Sequence, residues 1–154
     1  MNVQVSHHLR DIDGQMGINR SMATTYSLEL PRNLDAPAQA RDALTQLDPS
    51  LPEHVLPDMT LLVSELITNS VKYGGEGPVR LEITHSDDAI RTEIVDQGVG
   101  FTPVERDGDL SRVGGWGLHL VEELTDRWGT FEGSTHVWFE IDPSKPRPHD
   151  DLAA

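Results

Sequence analysis

The sequence predicts an α+β fold, a two-layer sandwich in which a mixed, mostly antiparallel sheet is covered on one face by about three helices. Three observations support this prediction. Apolar residues recur every three or four positions over residues 59–67, as in a helix that packs one side against a core. Apolar and polar residues alternate over 79–84 and over 90–94, as in strands with one covered face. The helical pattern precedes these strand patterns, which favours separate layers over alternating parallel units.

The chain divides into three predicted parts. Its 154 residues are enough for one domain with a core of its own. Residues 1–22 are polar and show no periodicity, so we expect a flexible N-terminal arm. Several prolines mark residues 143–154 as a disordered tail, which leaves residues 23–142 as the folded domain.

Each element in the first half of the domain has a local signal. Residues 24–30 are predicted as a strand, and Asp35 stands where a helix cap is expected. The second helix contains the apolar stripe of residues 59–67 and is stopped by Gly74 and Gly75. The first helix is shorter, and its apolar positions are Ala40, Ala43, Leu44 and Leu47.

The second half of the domain continues with strands and one helix. Residues 86–89 form the predicted turn between the two alternating segments, which makes these strands an antiparallel pair. Residues 101–113 have no clear pattern and are expected to be a mobile connection of a length that is often functional. Residues 137–141 alternate as a last strand. The third helix is predicted to carry Leu118, Val121, Leu124 and Trp128 on one side.

The composition excludes several classes of function. Asp+Glu number 26 and Lys+Arg 12, which gives a net charge of −14 and disfavours binding to nucleic acid or anionic membranes. The sequence has no cysteine, so disulfides, zinc–thiolate sites and thiol nucleophiles are excluded. It also lacks an apolar run long enough to span a bilayer and a signal-peptide pattern, so the cytoplasm is the expected compartment.

A polar flank follows the apolar stripe of the second helix. Glu65 and Asn69 are four residues apart and therefore project from the same side, and Lys72 continues this line. An asparagine carbonyl is a hard oxygen ligand suited to Mg²⁺, and a carboxylate one turn away can take a proton from an attacking hydroxyl. The alternative is an ordinary solvated helix flank.

A single acidic residue ends the second of the paired strands. Asp96 is followed by Gly98 and Gly100, which permit a close approach of the backbone to a ligand. A carboxylate accepts a hydrogen bond from the exocyclic amine of adenine and disfavours guanine, which has a carbonyl at that position. The alternative is a strand-ending turn, for which Asp and Gly are common residues.

The third helix begins with a glycine-rich segment that contains Gly115 and Gly117. A helix start presents free amides and partial positive charge, and small residues let a phosphate approach. Arg112 and Arg106 in the preceding connection are candidates for contacts to the phosphates. The segment fits neither the Walker nor the Rossmann pattern, and the alternative is a flexible glycine-bearing loop.

The order of these segments resembles the GHKL ATPases, which include gyrase, Hsp90, histidine kinases and MutL. Residues 65–69 are similar to the N box, residues 96–100 to the G1 box, and residues 115–118 to the G2 box. Residues 134–139 are similar to the closing strand of that fold, so the resemblance covers about residues 24–142. Within this group the chain looks most like the small anti-sigma factor serine/threonine kinases of the SpoIIAB and RsbW type.

The resemblance implies a role for each matching residue. Asn69 would hold Mg²⁺, Asp96 would read adenine, Thr135 would support Asp96 through a water molecule, and Glu65 would be the catalytic base. Residues 23–142 would then form an ATP-binding kinase domain. The other residues that would contact ATP are Lys72, Gly98, Gly100, Arg112, Gly115, Gly117 and Leu118.

The resemblance also implies partners. Such kinases phosphorylate a Ser or Thr of an anti-anti-sigma protein of the STAS fold, sequester a sigma factor in a second complex, and can form homodimers. This chain differs from the common pattern at Ser134, where the family often has Gly, and at 72–73, where His is common. The alternative from another class is an ATP-gated module that binds a partner with little or no kinase activity.

Overall fold

The computed structural model describes residues 3–11, 20–47, 51–98, 116–131, 136–148 and 150. Within these residues every helix is either too short or too polar to span a lipid bilayer. In chain order the elements are β1 (Val3–Asp11), β2 (Arg20–Leu30), α1 (Ala36–Leu47), α2 (Leu56–Tyr73), β3 (Val79–His85), β4 (Ile90–Val95), α3 (Trp116–Leu124), β5 (Arg127–Thr130) and β6 (Val137–Ile141).

The strands form one sheet in the order β1-β2-β3-β4-β6-β5. Each neighbouring pair is antiparallel. Helix α2 packs against α1, α3, β3 and β4, so the helices form a second layer over the sheet. The predicted α+β two-layer sandwich is therefore confirmed.

The core lies between these two layers. It contains the predicted apolar stripe of α2 and the alternating apolar residues of the central strands, which explains why these elements could be recognised from periodicity. Helix α1 also begins directly after Asp35, where a cap was expected. The buried apolar positions of α2 and of strands β3, β4 and β6 are Met59, Leu62, Val63, Leu66, Ile67, Val79, Leu81, Ile83, Ile90, Ile94, Val137, Phe139 and Ile141.

The opposite face of the sheet is polar. Arg91 on β4 donates hydrogen bonds to Glu93 (2.6 Å) and to Glu140 (3.0 Å), and its guanidinium lies 4.2 Å from the centre of the Trp138 ring. These side chains alternate with the buried ones along the same strands. The strands therefore have one apolar face and one polar face, as the alternation predicted.

The N-terminal arm differs from its prediction. Residues 1–22 were expected to be flexible, but Val3–Asp11 forms β1 and pairs along its length with β2, which begins at Arg20. Strand β1 is at the edge of the sheet and leaves several side chains exposed, so it lacks the apolar alternation of a half-buried strand. Its structure depends on hydrogen bonds to β2, which a local pattern does not reveal.

The C-terminal tail also differs from its prediction. Residues 143–154 were expected to be disordered, but residues 142–148, here called the C-terminal strap, are held by polar contacts. The guanidinium of Arg147 is buried, donates to Asp58 at 2.6 Å, and donates to the carbonyl of Leu124. The ring of His54 lies 2.9 Å from the carbonyl oxygen of Pro143. These partners are distant in sequence, so the proline content alone gave the wrong answer.

The third helix is shorter than predicted. It ends at Leu124, and Trp128 lies in β5, where it pairs with Phe139. The Thr125 hydroxyl donates to the carbonyl of Val121 at 2.6 Å, and the next residue already bonds to the backbone of β6. Trp128 packs on the core from the sheet, which explains why its position fitted a helical stripe. The predicted connection over residues 101–113 lies outside the described residues.

Candidate functional site

The candidate site is built where the C-terminal end of α2 meets the end of β4. Helix α2 ends at Tyr73 and is capped by Gly74, whose N–H donates to the carbonyl of Ser70 at 2.8 Å. A Cβ atom placed on Gly74 would lie 2.4 Å from Oδ2 of Asp96. This close packing, here called the Gly74–Asp96 junction, joins the helix that carries the predicted N box to the strand end that carries the predicted acid.

Asp96 is oriented by its own turn. It follows β4 directly and is only 9% exposed. Its Oδ1 accepts the N–H of Gly98 at 2.9 Å, which fixes the carboxylate relative to the backbone. Its Oδ2 accepts no hydrogen bond from the described parts of the chain. One oxygen therefore positions the carboxylate, and the other remains available to a hydrogen-bond donor of a ligand.

The connection from α2 to β3 wraps around the residue after Asp96. Gly75 has φ +76° and Gly77 has φ +97°, and both conformations favour glycine. A Cβ on Gly75 would lie 2.8 Å from the carbonyl oxygen of Gln97, and one on Gly77 would lie 3.0 Å from its Cγ. The sequence predicted only that Gly74 and Gly75 stop the helix, and their contact with the acidic turn was missed.

The predicted polar flank of α2 leads to this junction. Glu65 and Asn69 are half-buried and Lys72 is exposed, whereas Leu66 and Ser70 on the adjacent side are buried. The described residues provide no hydrogen bond or ion pair to Glu65, Asn69 or Lys72. The flank thus borders the core and keeps its polar atoms available for other contacts.

The fourth part of the predicted site lies at the start of α3. Gly117 is in the first turn of α3, Leu118 is half-buried, and α3 packs against α2. The packing brings the helix that carries the predicted G2 box beside the helix that carries the N box. The remaining predicted residues, Gly100, Arg112, Gly115 and Thr135, lie outside the described residues, so their roles stay predictions.

The predicted metal ligand of this site is the side chain of Asn69 on α2. Within the described residues no group of three or more His, Cys, Asp or Glu side chains is arranged to hold a metal ion. The half-buried Asn69 on α2 offers a side-chain carbonyl, a hard oxygen donor of the kind that Mg²⁺ accepts together with phosphate oxygens and water.

The sequence that carries this geometry is similar to that of known proteins. The family described as "Histidine kinase-like ATPase domain" matches residues 30–141. The match includes α1, α2, the junction and the strands β3 to β6. It therefore covers most of the chain and all the described residues of the candidate site.

Individual relatives have more specific names. The chain is 32% identical over 84 residues to "Serine-protein kinase RsbW" of Listeria monocytogenes, a match that covers 45% of this chain and 54% of that protein. It is 34% identical to the same-named protein of Listeria innocua over 84 residues. It is also 34% identical over 116 residues to "Anti-sigma F factor" of Clostridium beijerinckii, covering 65% of this chain and 79% of that protein.

The matches to individual relatives cover less of this chain than the match to the family. The chain spans about half the length of the Listeria kinases, since 54% of each is covered. The match to the family, in contrast, extends over residues 30–141. The chain therefore belongs to the histidine kinase-like ATPase domain family.

Proposed function

We propose that this protein is a Mg-ATP-dependent protein serine/threonine kinase that acts as an anti-sigma regulatory factor. The observation that carries the proposal is the Gly74–Asp96 junction, where a nearly buried carboxylate is oriented by the backbone and keeps one oxygen without a partner among the described residues. An acceptor oxygen that is held in a fixed orientation and is not used by the described residues is suited to a hydrogen-bond donor of a ligand.

Adenine supplies the donor that Asp96 requires. The exocyclic amine of adenine donates to a carboxylate oxygen, whereas guanine places a carbonyl oxygen at the same position. The proposal assigns this contact to Oδ2 of Asp96, because Oδ1 already accepts the N–H of Gly98. In this proposal Thr135 supports Asp96 through water, as the family resemblance implies.

The polar flank of α2 would act on the phosphates and on the phosphoacceptor. Asn69 would hold Mg²⁺, which when bound neutralises charge on the phosphate oxygens. Glu65 would take the proton from the hydroxyl of the substrate Ser or Thr. The oxygen of that hydroxyl would form a bond to the γ-phosphorus of ATP as the bond between this phosphorus and ADP breaks. The proposed contacts to ATP also include Lys72, Gly98, Gly100, Arg112, Gly115, Gly117 and Leu118.

The names of the relatives support a protein rather than a small-molecule substrate. One group is called a serine-protein kinase, and another relative is called an anti-sigma factor. We therefore propose a Ser or Thr of a STAS-type anti-anti-sigma protein as the phosphoacceptor and a sigma factor as a second partner. The net charge of −14 supports partners other than nucleic acid or an anionic membrane. A cytoplasmic location and a homodimer complete the proposal.

Transfer of labelled phosphate from γ-labelled ATP into proteins of the source-cell lysate would test the kinase. We expect label on a small protein with the wild type and with Glu53→Gln, and no such label with Glu65→Gln. Glu53 is an exposed residue just before α2 and serves as the matched control. ATP binding by all three proteins should be similar, because Glu65 is proposed to act on the hydroxyl rather than on the nucleotide.

Two other outcomes would change the proposal in different ways. If the wild type binds ATP but labels no protein beyond the Glu65→Gln background, the ATP-gated partner-binding module becomes the better function. If Glu65→Gln labels the same protein as the wild type, the kinase is retained and Glu65 is not its base.

A further inference from the structure

Gly74 is a glycine that its backbone conformation does not require. Its φ of −81° and ψ of 20° are accessible to ordinary L-residues. Gly75 and Gly77, only a few residues away, have φ of +76° and +97°, which do favour glycine. The absence of a side chain at position 74 therefore needs a reason other than the φ angle.

A side chain at position 74 is excluded by lack of space, because the carboxylate of Asp96 occupies the position that a Cβ atom would take. A Cβ on Gly74 would lie 2.4 Å from Oδ2 and 2.6 Å from Cγ of Asp96, and 2.4 Å from the carbonyl oxygen of Ser70. Side-chain carbons essentially never approach other atoms within 3.0 Å, so either the carboxylate or the backbone would have to move. The carboxylate cannot move away freely, because its Oδ1 accepts the N–H of Gly98 and the side chain is nearly buried.

The carboxylate is therefore restrained from two sides. The backbone amide of Gly98 fixes Oδ1, and the Cα of Gly74 leaves just enough room for Oδ2. A group held in this way is already oriented before a ligand arrives, and such preorganisation strengthens a directional hydrogen bond. A displacement of the carboxylate by about 1 Å would weaken that bond without changing the rest of a nucleotide site.

We propose that Gly74 is a positioning residue for base recognition, because it holds the Asp96 carboxylate where it accepts a hydrogen bond from a 6-aminopurine. This inference rests on the proposed binding of ATP. It adds that the preference for a 6-amino group depends on a residue that touches no ligand. Gly74 acts through Asp96, so its replacement should alter selectivity among bases more than binding of the triphosphate.

The test compares two nucleotides that differ only at position 6 of the purine. ATP carries the amine there, and purine riboside triphosphate carries a hydrogen atom. Calorimetric titration should show that the wild type prefers ATP by roughly 10-fold or more, since one hydrogen bond to a carboxylate is involved. In Gly74→Ala we expect this ratio to fall toward one, with little change in the affinity for purine riboside triphosphate.

Gly77→Ala is the matched control for a general effect on folding. It introduces strain at φ +97°, but its Cβ would meet the flexible side chain of Gln97 instead of Asp96. We expect Gly77→Ala to lower the melting temperature and to keep the wild-type preference for ATP. A purely structural role of Gly74 would instead lower the affinity for both nucleotides equally in Gly74→Ala, and that result would overturn the inference.

A second measurement keeps the inference testable if Gly74→Ala is too unstable for titration. Replacement of Asp96 by Ala removes the atoms that the new methyl group would meet. Gly74→Ala should therefore lower the melting temperature less in an Asp96→Ala background than in the wild type. An equal decrease in both backgrounds would show that Ser70, and not Asp96, limits the space, and would overturn the inference.

Binding of the two nucleotides distinguishes a failure of the inference from a failure of the proposed function. A wild type that binds neither nucleotide would remove the proposed function, and the inference with it. A wild type that prefers ATP, together with a Gly74→Ala variant that keeps the same preference, would remove the inference alone.

Discussion

Two buried carboxylates lie at opposite ends of α2 and are treated differently by the fold. Asp58, in the first turn of α2, is 4% exposed and forms an ion pair with Arg147 at 2.6 Å. Asp96, beside the last turn, is 9% exposed and has no ion-pair partner among the described residues. Its described polar contact is the N–H of Gly98.

In the proposed function, this difference separates a residue that maintains the fold, Asp58, from one that binds the nucleotide, Asp96. A buried carboxylate with a buried cation needs no further partner, and removal of the cation is strongly unfavourable. Asp96, in contrast, uses Oδ1 for the N–H of Gly98 and leaves Oδ2 without a hydrogen bond from the described residues. The ion pair of Asp58 and the carboxylate proposed to bind adenine thus lie near opposite ends of the same 18-residue helix.

The largest expected effect comes from breaking the ion pair of Asp58. Arg147→Met keeps the apolar part of the side chain but leaves the Asp58 carboxylate buried without its cation. We expect a loss of about 3–5 kcal/mol in the free energy of unfolding. Urea denaturation at pH 7, followed by circular dichroism, would measure it.

Two matched variants show whether the loss comes from burial of the charge. Lys145→Met removes an exposed ion pair to Asp126 in the same C-terminal strap, and we expect a loss of less than about 1 kcal/mol. Arg147→Met combined with Asp58→Leu should be more stable than Arg147→Met alone, because no carboxylate then remains buried. If Arg147→Met is as stable as Lys145→Met, the strap does not depend on this ion pair.

The next largest effect is expected at Asp96. Asp96→Asn keeps the shape of the side chain but presents a weaker acceptor, or a second donor, to the amine of adenine. We expect ATP affinity to decrease by at least about 10-fold, while the melting temperature changes little. Titration calorimetry and thermal unfolding of the same samples would measure both quantities.

The comparison with Arg147→Met makes the prediction for Asp96 specific. Arg147→Met should lower stability while the molecules that remain folded keep their ATP affinity. Equal binding of ATP by the wild type and Asp96→Asn would remove the assignment of Asp96 to adenine. A large loss of stability in Asp96→Asn would show that both carboxylates maintain the fold.

Elements with a local sequence pattern could be predicted, whereas elements held by contacts between distant residues could not. The apolar stripe of α2 and the alternation in β3, β4 and β6 are local signals, so these elements were predicted correctly. The C-terminal strap was not, because Arg147 and Asp58 are 89 residues apart and neither lies in a recognisable pattern. Strand β1 was missed for a related reason, since its partner β2 defines it.

The sequence proposes candidate residues on α2 and at the end of β4, and their roles stay predictions. The structure adds that these two elements are in contact. Gly74 was interpreted only as a helix stop, because a sequence does not show that a carboxylate fills the space beside its Cα. The roles predicted for Arg112 and Thr135 stay predictions, since both lie outside the described residues.

The smallest expected effect concerns a third carboxylate, Asp126, which is partly exposed and holds the strap. Burial alone would raise the pKa of Asp126, but hydrogen bonds from the backbone of Asp142 and from Lys145 outweigh it, and the pKa lies below its ordinary value. Its contribution to stability is therefore fully present above the ordinary pKa of Asp, about 3.9, and is lost as the pH falls through the lowered value.

Asp126→Asn should consequently reduce the loss of stability between pH 7 and pH 3, measured as the difference in urea midpoint. Asp87→Asn, in the exposed turn between β3 and β4, is the matched control and should keep the wild-type difference. If the urea midpoints of Asp126→Asn and Asp87→Asn decrease equally between pH 7 and pH 3, the acid sensitivity of the fold does not come from Asp126. The buried pair of Asp58 and Arg147 would then hold the strap with no measurable help from Asp126, which would sharpen the contrast with Asp96.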